Sequence, residues 1–161
     1  MSVLTIEPLT KEAFEPFGDV LEIENSEYFF INNKSGQRYH GLAAVEVDDE
    51  AKPLISIVRS AGFTSSLTFD LLEKHPIGSQ AFFPLKGEKF IVIVAEGEDE
   101  IDESTLRVFV TDGNQGVNYR KNIWHYLLFA WNKETDFLTI DRAGDDNCIV
   151  KTLSKEYTIN L

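Results

Sequence analysis

The chain has 161 residues, enough for one domain with a real buried core, and its 43 % hydrophobic content with 12 Phe, 5 Tyr and 2 Trp excludes a disordered chain. A net charge of −12, from 27 acidic and 15 basic residues, argues against a nucleic-acid footprint or attraction to an anionic membrane, so an anionic ligand needs a local positive pocket. A single cysteine, Cys148, excludes an intrachain disulfide and a multi-thiolate zinc site.

In chain order, Met1 to Glu12 hold Glu7, Pro8 and Lys11 with no apolar run, which predicts no secretory signal. Val3 to Leu9 alternate loosely and predict a first strand. Thr10 reads as an N-cap for one helical turn through Phe14, which Pro16 stops. Strands follow at Phe17 to Ile23 and Tyr28 to Ile31, then a loop from Asn32 to Gly36, an alternating run from Leu42 to Val47, and an acidic turn to Pro53.

Leu54 to Arg59 and Leu67 to Leu71 are strands by their β-branched and alternating content. Phe90 to Ala95 is continuously apolar, as in a strand covered on both faces, and is far too short to span a bilayer. Glu96 to Glu103 carries six carboxylates in eight residues and predicts an exposed loop. Thr105 to Val110, Tyr126 to Trp131, Phe137 to Asp141, Ile149 to Leu153 and Tyr157 to Ile159 complete a series of roughly a dozen short strands without repeat or linker. The expectation is one domain over residues 1–161, mainly all-β, a small barrel or double-sheet jelly roll with one or two short helices.

The chemistry concentrates in Leu71 to Pro84. Glu73 and His75 are two apart, so on an extended strand they leave the same face and can reach one centre. Pro76 and Gly78 bend the chain, and Gln80 restarts a strand. His125 is the natural fourth member. A lone histidine is more often a satisfied core or surface group than a ligand, and the case rests on the ordering of the four. Glutamate supplies an anionic oxygen and Gln80 a weaker neutral carbonyl, a set that favours Ni²⁺, Mn²⁺, Co²⁺ or Zn²⁺ with open water positions over a closed structural site.

Lys86, in a turn beyond the hairpin, and Arg107, on the strand face opposite Leu106 and Val108, are candidate partners for a substrate carboxylate; each also has a bland reading as a surface cation. Arg38, His40 and Arg59 are second-tier cations, His40 with a subunit contact as its alternative. Trp124 is a packing residue that also walls a pocket beside His125 if the strand is so placed. Cys148 reads as an inert buried thiol. No nucleophile elbow, Walker loop or dinucleotide fingerprint is present, which excludes a nucleotide cofactor by motif.

The order acid, x, His, four residues, amide, long gap, His resembles the cupin metal site, with Glu73 at the position of the first His and Gln80 at that of the Glu. Beyond the fold family, the runs Phe17-Gly18-Asp19-Val20, Arg38-Tyr39-His40, Glu73-Lys74-His75-Pro76, Gln80-Ala81-Phe82, Lys86-Gly87-Glu88, Gly116-Val117-Asn118-Tyr119, Trp124-His125 and Thr135 to Arg142 resemble the ureidoglycolate lyases over nearly the whole chain.

With no secretory signal predicted, the expected location is the cytoplasm. The resemblance implies a homodimeric, nickel-associated cupin that splits ureidoglycolate into glyoxylate and urea in allantoin breakdown. It also implies a metal shell of Glu73, His75, Gln80 and His125, catalytic roles for Glu73, Lys86 and His125, and substrate contacts from Arg107, Lys86, Arg38 and Trp124. The alternatives are a ureidoglycolate amidohydrolase, which releases ammonia, and a non-catalytic barrel that binds a small carboxylate.

Overall fold

The computed structural model describes residues 2–145 and 147–161. In chain order its elements are β1 (Ser2–Val3), β2 (Ile6–Pro8), α1 (Lys11–Phe14), β3 (Gly18–Leu21), β4 (Phe29–Ile31), β5 (Gly36–Arg38), β6 (Pro53–Ser60), β7 (Gly62–Phe63) and β8 (Ser66–Lys74). The second half holds β9 (Gln80–Pro84), β10 (Phe90–Glu96), β11 (Asp102–Val110), β12 (Gly116–Tyr119), β13 (Trp124–His125), β14 (Phe129–Trp131), β15 (Thr135–Arg142) and β16 (Ile149–Asn160).

Two sheets account for most of the chain. A nine-stranded sheet runs β1-β16-β8-β13-β10-β11-β2, with β14 beside β10 and β7 beside β14; a five-stranded sheet runs β3-β12-β9-β15-β6. β4 and β5 form a separate hairpin. The larger sheet is curled into a half-barrel that the smaller one faces, and the fold is all-β and cupin-like, as expected.

Alternation of side chains along the strands generates two apolar layers. Phe90, Val92 and Val94 of β10 join Phe14, Phe17, Phe82, Phe109 and Phe137 in one cluster between the sheets. Ile91, Ile93 and Ala95 of the same strand point the other way, into a cluster with Leu72, Trp124, Tyr157 and Ile159. β10 is thus covered on both faces, the arrangement its unbroken apolar run predicts. Full burial of side chains such as Phe90, Phe109 and Phe137 stabilises by about 1.5–3 kcal/mol each.

The Thr10 cap is present, its hydroxyl accepting from Ala13 N at 3.1 Å, and it seats Phe14 in the core. Close sheet pairing also sets a glycine: a Cβ on Gly18 would lie 1.9 Å from the Asn118 carbonyl oxygen.

Three expectations are corrected. Val3 to Leu9 are two strands, because β1 pairs in parallel with β16 whereas β2 pairs in parallel with β11. The alternating run from Leu42 to Val47 joins no ladder; only Val47 bridges, to Gly78, and the segment lies over the turn after β8. The acidic stretch is not all loop. β11 begins at Asp102, and Glu103 accepts hydrogen bonds from Ser154 N and Oγ and from the Tyr157 hydroxyl.

Candidate metal centre

Strand pairing brings the first two donors together. β13 is hydrogen-bonded between β8 and β10, with His125 directly opposite Glu73 on one side and opposite Val94 on the other. His125 therefore points with Val94 into the barrel interior, where its ring stacks on Tyr119 of β12 at 4.2 Å and 6°. Its neighbour Trp124 pairs with Ala95 and points into the other apolar layer, fully buried. The expected Trp124 pocket wall is thus corrected: alternation puts it on the face away from the site.

The third donor comes from the turn after β8. Hydrogen bonds to three neighbouring segments hold that turn: His75 O accepts from Asn122 N (2.7 Å), Ile77 N donates to Asn147 Oδ1 (3.0 Å) while Ile77 O accepts from Asp48 N (3.0 Å), and Ser79 exchanges bonds with the Glu46 backbone (2.8 and 3.0 Å). His75 then turns back toward Glu73. Donor atoms of Glu73, His75 and His125 lie within 4.8 Å of one another, with Glu73 Oε1 at 3.6 Å from His125 Nε2 and 3.8 Å from His75 Nε2.

The tautomers follow from partners. His75 Nδ1 is bonded to Asn147 O (2.5 Å) and His125 Nδ1 to Ile123 O (3.0 Å). A carbonyl only accepts, so each Nδ1 carries the proton and each Nε2 presents a lone pair. Both Nε2 atoms and Gln80 Oε1 are buried without a hydrogen-bond partner among the described residues. Gln80, at the start of β9, lines a cavity of about 230 Å³ with Glu73 and His125, and its Nε2 donates to Asp141 Oδ2 at 3.3 Å.

Acceptors therefore predominate in the space beside Glu73, where the Thr139 hydroxyl, also buried without a partner among the described residues, lines the same cavity as Gln80 and His125, and such a set suits a cation or a proton. Two imidazole nitrogens, a carboxylate oxygen and an amide carbonyl fit a divalent ion, with backbone carbonyls orienting both imidazoles from behind. When that space holds a proton on the imidazoles, His125 is the largest influence on the Glu73 carboxyl; with His75 and the Cys148 thiol it outweighs burial and holds the group below the usual carboxylate range. Burial, then the Glu73 charge, push the Tyr119 phenol well up, which keeps it neutral.

The predicted cations lie elsewhere. Arg107 shares the inward face of β11 with Phe109, across from Val94, but it forks onto Glu7 (Nε–Oε1 3.1 Å, Nη2–Oε2 2.7 Å), bonds the Ala13 carbonyl and lies over the Phe109 ring, so its expected role as a clamp is corrected: the guanidinium is already engaged and lines neither cavity at the centre. Lys86 is exposed in the turn past the far end of β9, on the side of Asp136, and lines neither cavity at the centre. Arg38 ends the exposed β4–β5 hairpin, where His40 packs at a tilt against Phe29. Arg59 pairs with Asp136 and Glu134 at the surface.

Cys148 is likewise corrected. The residue is exposed, at the mouth of the centre, 3.6 Å from Glu73 Oε2, and partial desolvation of its sulfur, then the Glu73 charge, raise its pKa. Sequence reasoning passed over Tyr119, Asp141, Arg142 and Asn147 as parts of the site. Only the runs Gly116 to Tyr119 and Thr135 to Arg142 carried a signal, and that signal spoke of family and not of role.

A cupin-like all-β barrel in which Glu73, His75 and His125 could hold a metal ion defines a class: cupin-like proteins with a candidate metal centre. Comparison with known proteins narrows it. The family model described as ureidoglycolate lyase matches residues 1–160. Proteins named ureidoglycolate lyase from Escherichia coli O9:H4 (strain HS), Escherichia coli (strain SMS-3-5 / SECEC) and Shigella boydii serotype 18 (strain CDC 3083-94 / BS512) are each 52 % identical to it over 153 residues, 95 % of this chain and 96 % of theirs. The chain belongs to the ureidoglycolate lyase family.

Proposed function

We propose that this chain is an enzyme that cleaves ureidoglycolate to glyoxylate and urea at the Glu73/His75/Gln80/His125 centre. Family membership supports the reaction, and the observation that carries the site is the convergence of unpartnered acceptors on Glu73 inside the barrel. The reaction consumes no water. The hydroxyl loses its proton, its oxygen closes to C=O, the C–N bond breaks, and the departing urea nitrogen takes a proton, so the net event moves one proton from oxygen to nitrogen on the same carbon.

Glu73 suits that transfer. Its Oε1 faces the two histidines, whereas Oε2 faces Cys148 and the mouth, free to accept the hydroxyl proton and return it to the adjacent nitrogen. His125 holds the carboxylate in place across the ladder, and Gln80 offers its carbonyl to the same space. The residues that would hold a divalent ion are Glu73, His75, His125 and Gln80, and we propose nickel, following the family resemblance. Such an ion would supply Lewis acidity toward the carboxylate and hydroxyl oxygens.

We further propose one domain over the whole chain and a homodimer. β6 is an outer strand of the five-stranded sheet with Leu54, Ile55 and Ile57 exposed, a surface that suits a second copy. Among the described residues no helix is long and apolar enough to cross a membrane, and we place the activity in the cytoplasm.

Product analysis tests the reaction. Racemic ureidoglycolate is mixed with protein of known metal content, and glyoxylate, urea and ammonia are followed above the spontaneous background. Enantioselective release of glyoxylate with urea is expected. Ammonia instead would assign an amidohydrolase, and no acceleration with or without added nickel or manganese would leave a binding barrel.

A further inference from the structure

With Arg107 paired to Glu7 and Lys86 and Arg38 outside the centre, the expected cations leave a carboxylate substrate without a counter-ion in a chain of net charge −12. Arg142, at the end of β15, fills that vacancy in the charge pattern. It lines a cavity of about 380 Å³ together with His75, Gln80, Asn147 and Cys148. His75 joins this cavity to the centre, since its ring lines the wall while its Nε2 faces Glu73.

The guanidinium is held ready. Nε donates to Asp48 O at 3.2 Å and Nη1 to Ala143 O at 3.0 Å, and among the described residues no hydrogen bond is made by Nη2 and no carboxylate pairs with the group. Gly78 in the His75 turn lets the arginine stem cross: a Cβ there would stand 2.7 Å from Arg142 Cβ and 3.0 Å from its Cδ. Asp141 and Asp145 also line the cavity, so an anion finds attraction only on the Arg142 side.

Resting on the proposed function, we propose that Arg142 is the anchor for the substrate carboxylate and sets the preference for carbinolamides that carry one. A carboxylate on Arg142 places the hydroxyl and ureido substituents of the same carbon toward His75 and Glu73. A planar fork fixed by two carbonyls loses little freedom on binding, which suits recognition of a small anion.

The test uses wild type, Arg142→Lys and Arg142→Gln on two substrates, ureidoglycolate and N-(hydroxymethyl)urea, which is the same carbinolamide without the carboxylate. Calorimetry adds the affinity for ureidoacetate, the unreactive analogue that lacks only the hydroxyl. Arg142→Gln is expected to raise KM for ureidoglycolate and weaken ureidoacetate by about 10- to 100-fold, the worth of a charge-assisted hydrogen-bonded pair. Turnover of the neutral substrate is expected to change by less than about threefold, and Arg142→Lys to recover part of the loss. A parallel fall on both substrates, or unchanged ureidoacetate affinity, would reduce Arg142 to a tether for the Asp48 segment and overturn the proposal. If wild type cleaves no ureidoglycolate, the proposed function fails by itself, and the ureidoacetate titration still decides the anchor.

Discussion

Glu73 and His125 stand directly opposite one another across the β8–β13 ladder, with Oε1 and Nε2 3.6 Å apart and His75 Nε2 at 3.8 Å from the same Oε1. One substitution interrogates this relationship. Glu73→Gln keeps the shape and removes both the anionic donor and the proton carrier, and turnover is expected to fall by about 10²–10⁴-fold, the usual worth of a positioned acid–base group. Unchanged turnover by steady-state assay would remove Glu73 from both roles.

Metal binding is expected to need both imidazoles. Chelated protein titrated with Ni²⁺ or Mn²⁺ should take up one ion per chain and gain stability by mass action, about 2.7 kcal/mol at a free concentration a hundred times Kd. His75→Ala and His125→Ala should each abolish that gain in thermal denaturation. A stabilisation that survives both substitutions would place the ion elsewhere.

Gln80→Glu separates the two states of the centre. It replaces a neutral carbonyl by a carboxylate beside Asp141, whose Oδ2 accepts from the Gln80 amide. Without metal the like charges are expected to lower Tm; with Ni²⁺ or Mn²⁺ the extra anionic donor is expected to tighten binding and more than restore it. Equal Tm changes in chelator and in metal would show that residue 80 does not face the ion.

The pair Glu103–Tyr157, which joins β11 to β16, predicts how stability depends on pH. Burial opposes ionisation of Glu103, but the Ser154 backbone and hydroxyl and the Tyr157 hydroxyl outweigh it and lower its pKa, while burial and then Glu103 raise the Tyr157 phenol. A depressed carboxyl contributes stability above its unfolded value of about 4.3, lost as pH falls through the lower folded value. A raised phenol contributes below its unfolded value of about 10, lost as pH rises toward the folded one. Urea midpoints across pH should therefore fall at both ends, and Glu103→Gln should flatten both limbs.

Local pattern determined much of this protein. Period-two alternation and the unbroken run at Phe90 to Ala95 specify strands and the doubly covered position of β10, because which face a side chain takes depends only on its neighbours along the chain. The Thr10 cap is local in the same sense and holds, whereas Glu73 and His75 reach one centre although His75 lies in the turn just past β8 and not on the strand.

Partnership across long sequence separations was decided by tertiary structure alone. Nothing in the sequence near Arg107 announces that Glu7 will take its guanidinium, or that Arg142 will come to lie against the turn that carries His75. Nor does His125 by itself reveal that β13 will place it opposite Glu73 and turn Trp124 away, or that two backbone carbonyls will fix both Nε2 lone pairs on one point. Strand pairing sets those positions, and register is a property of the folded sheet, where one residue of slip would send His125 to the wrong face.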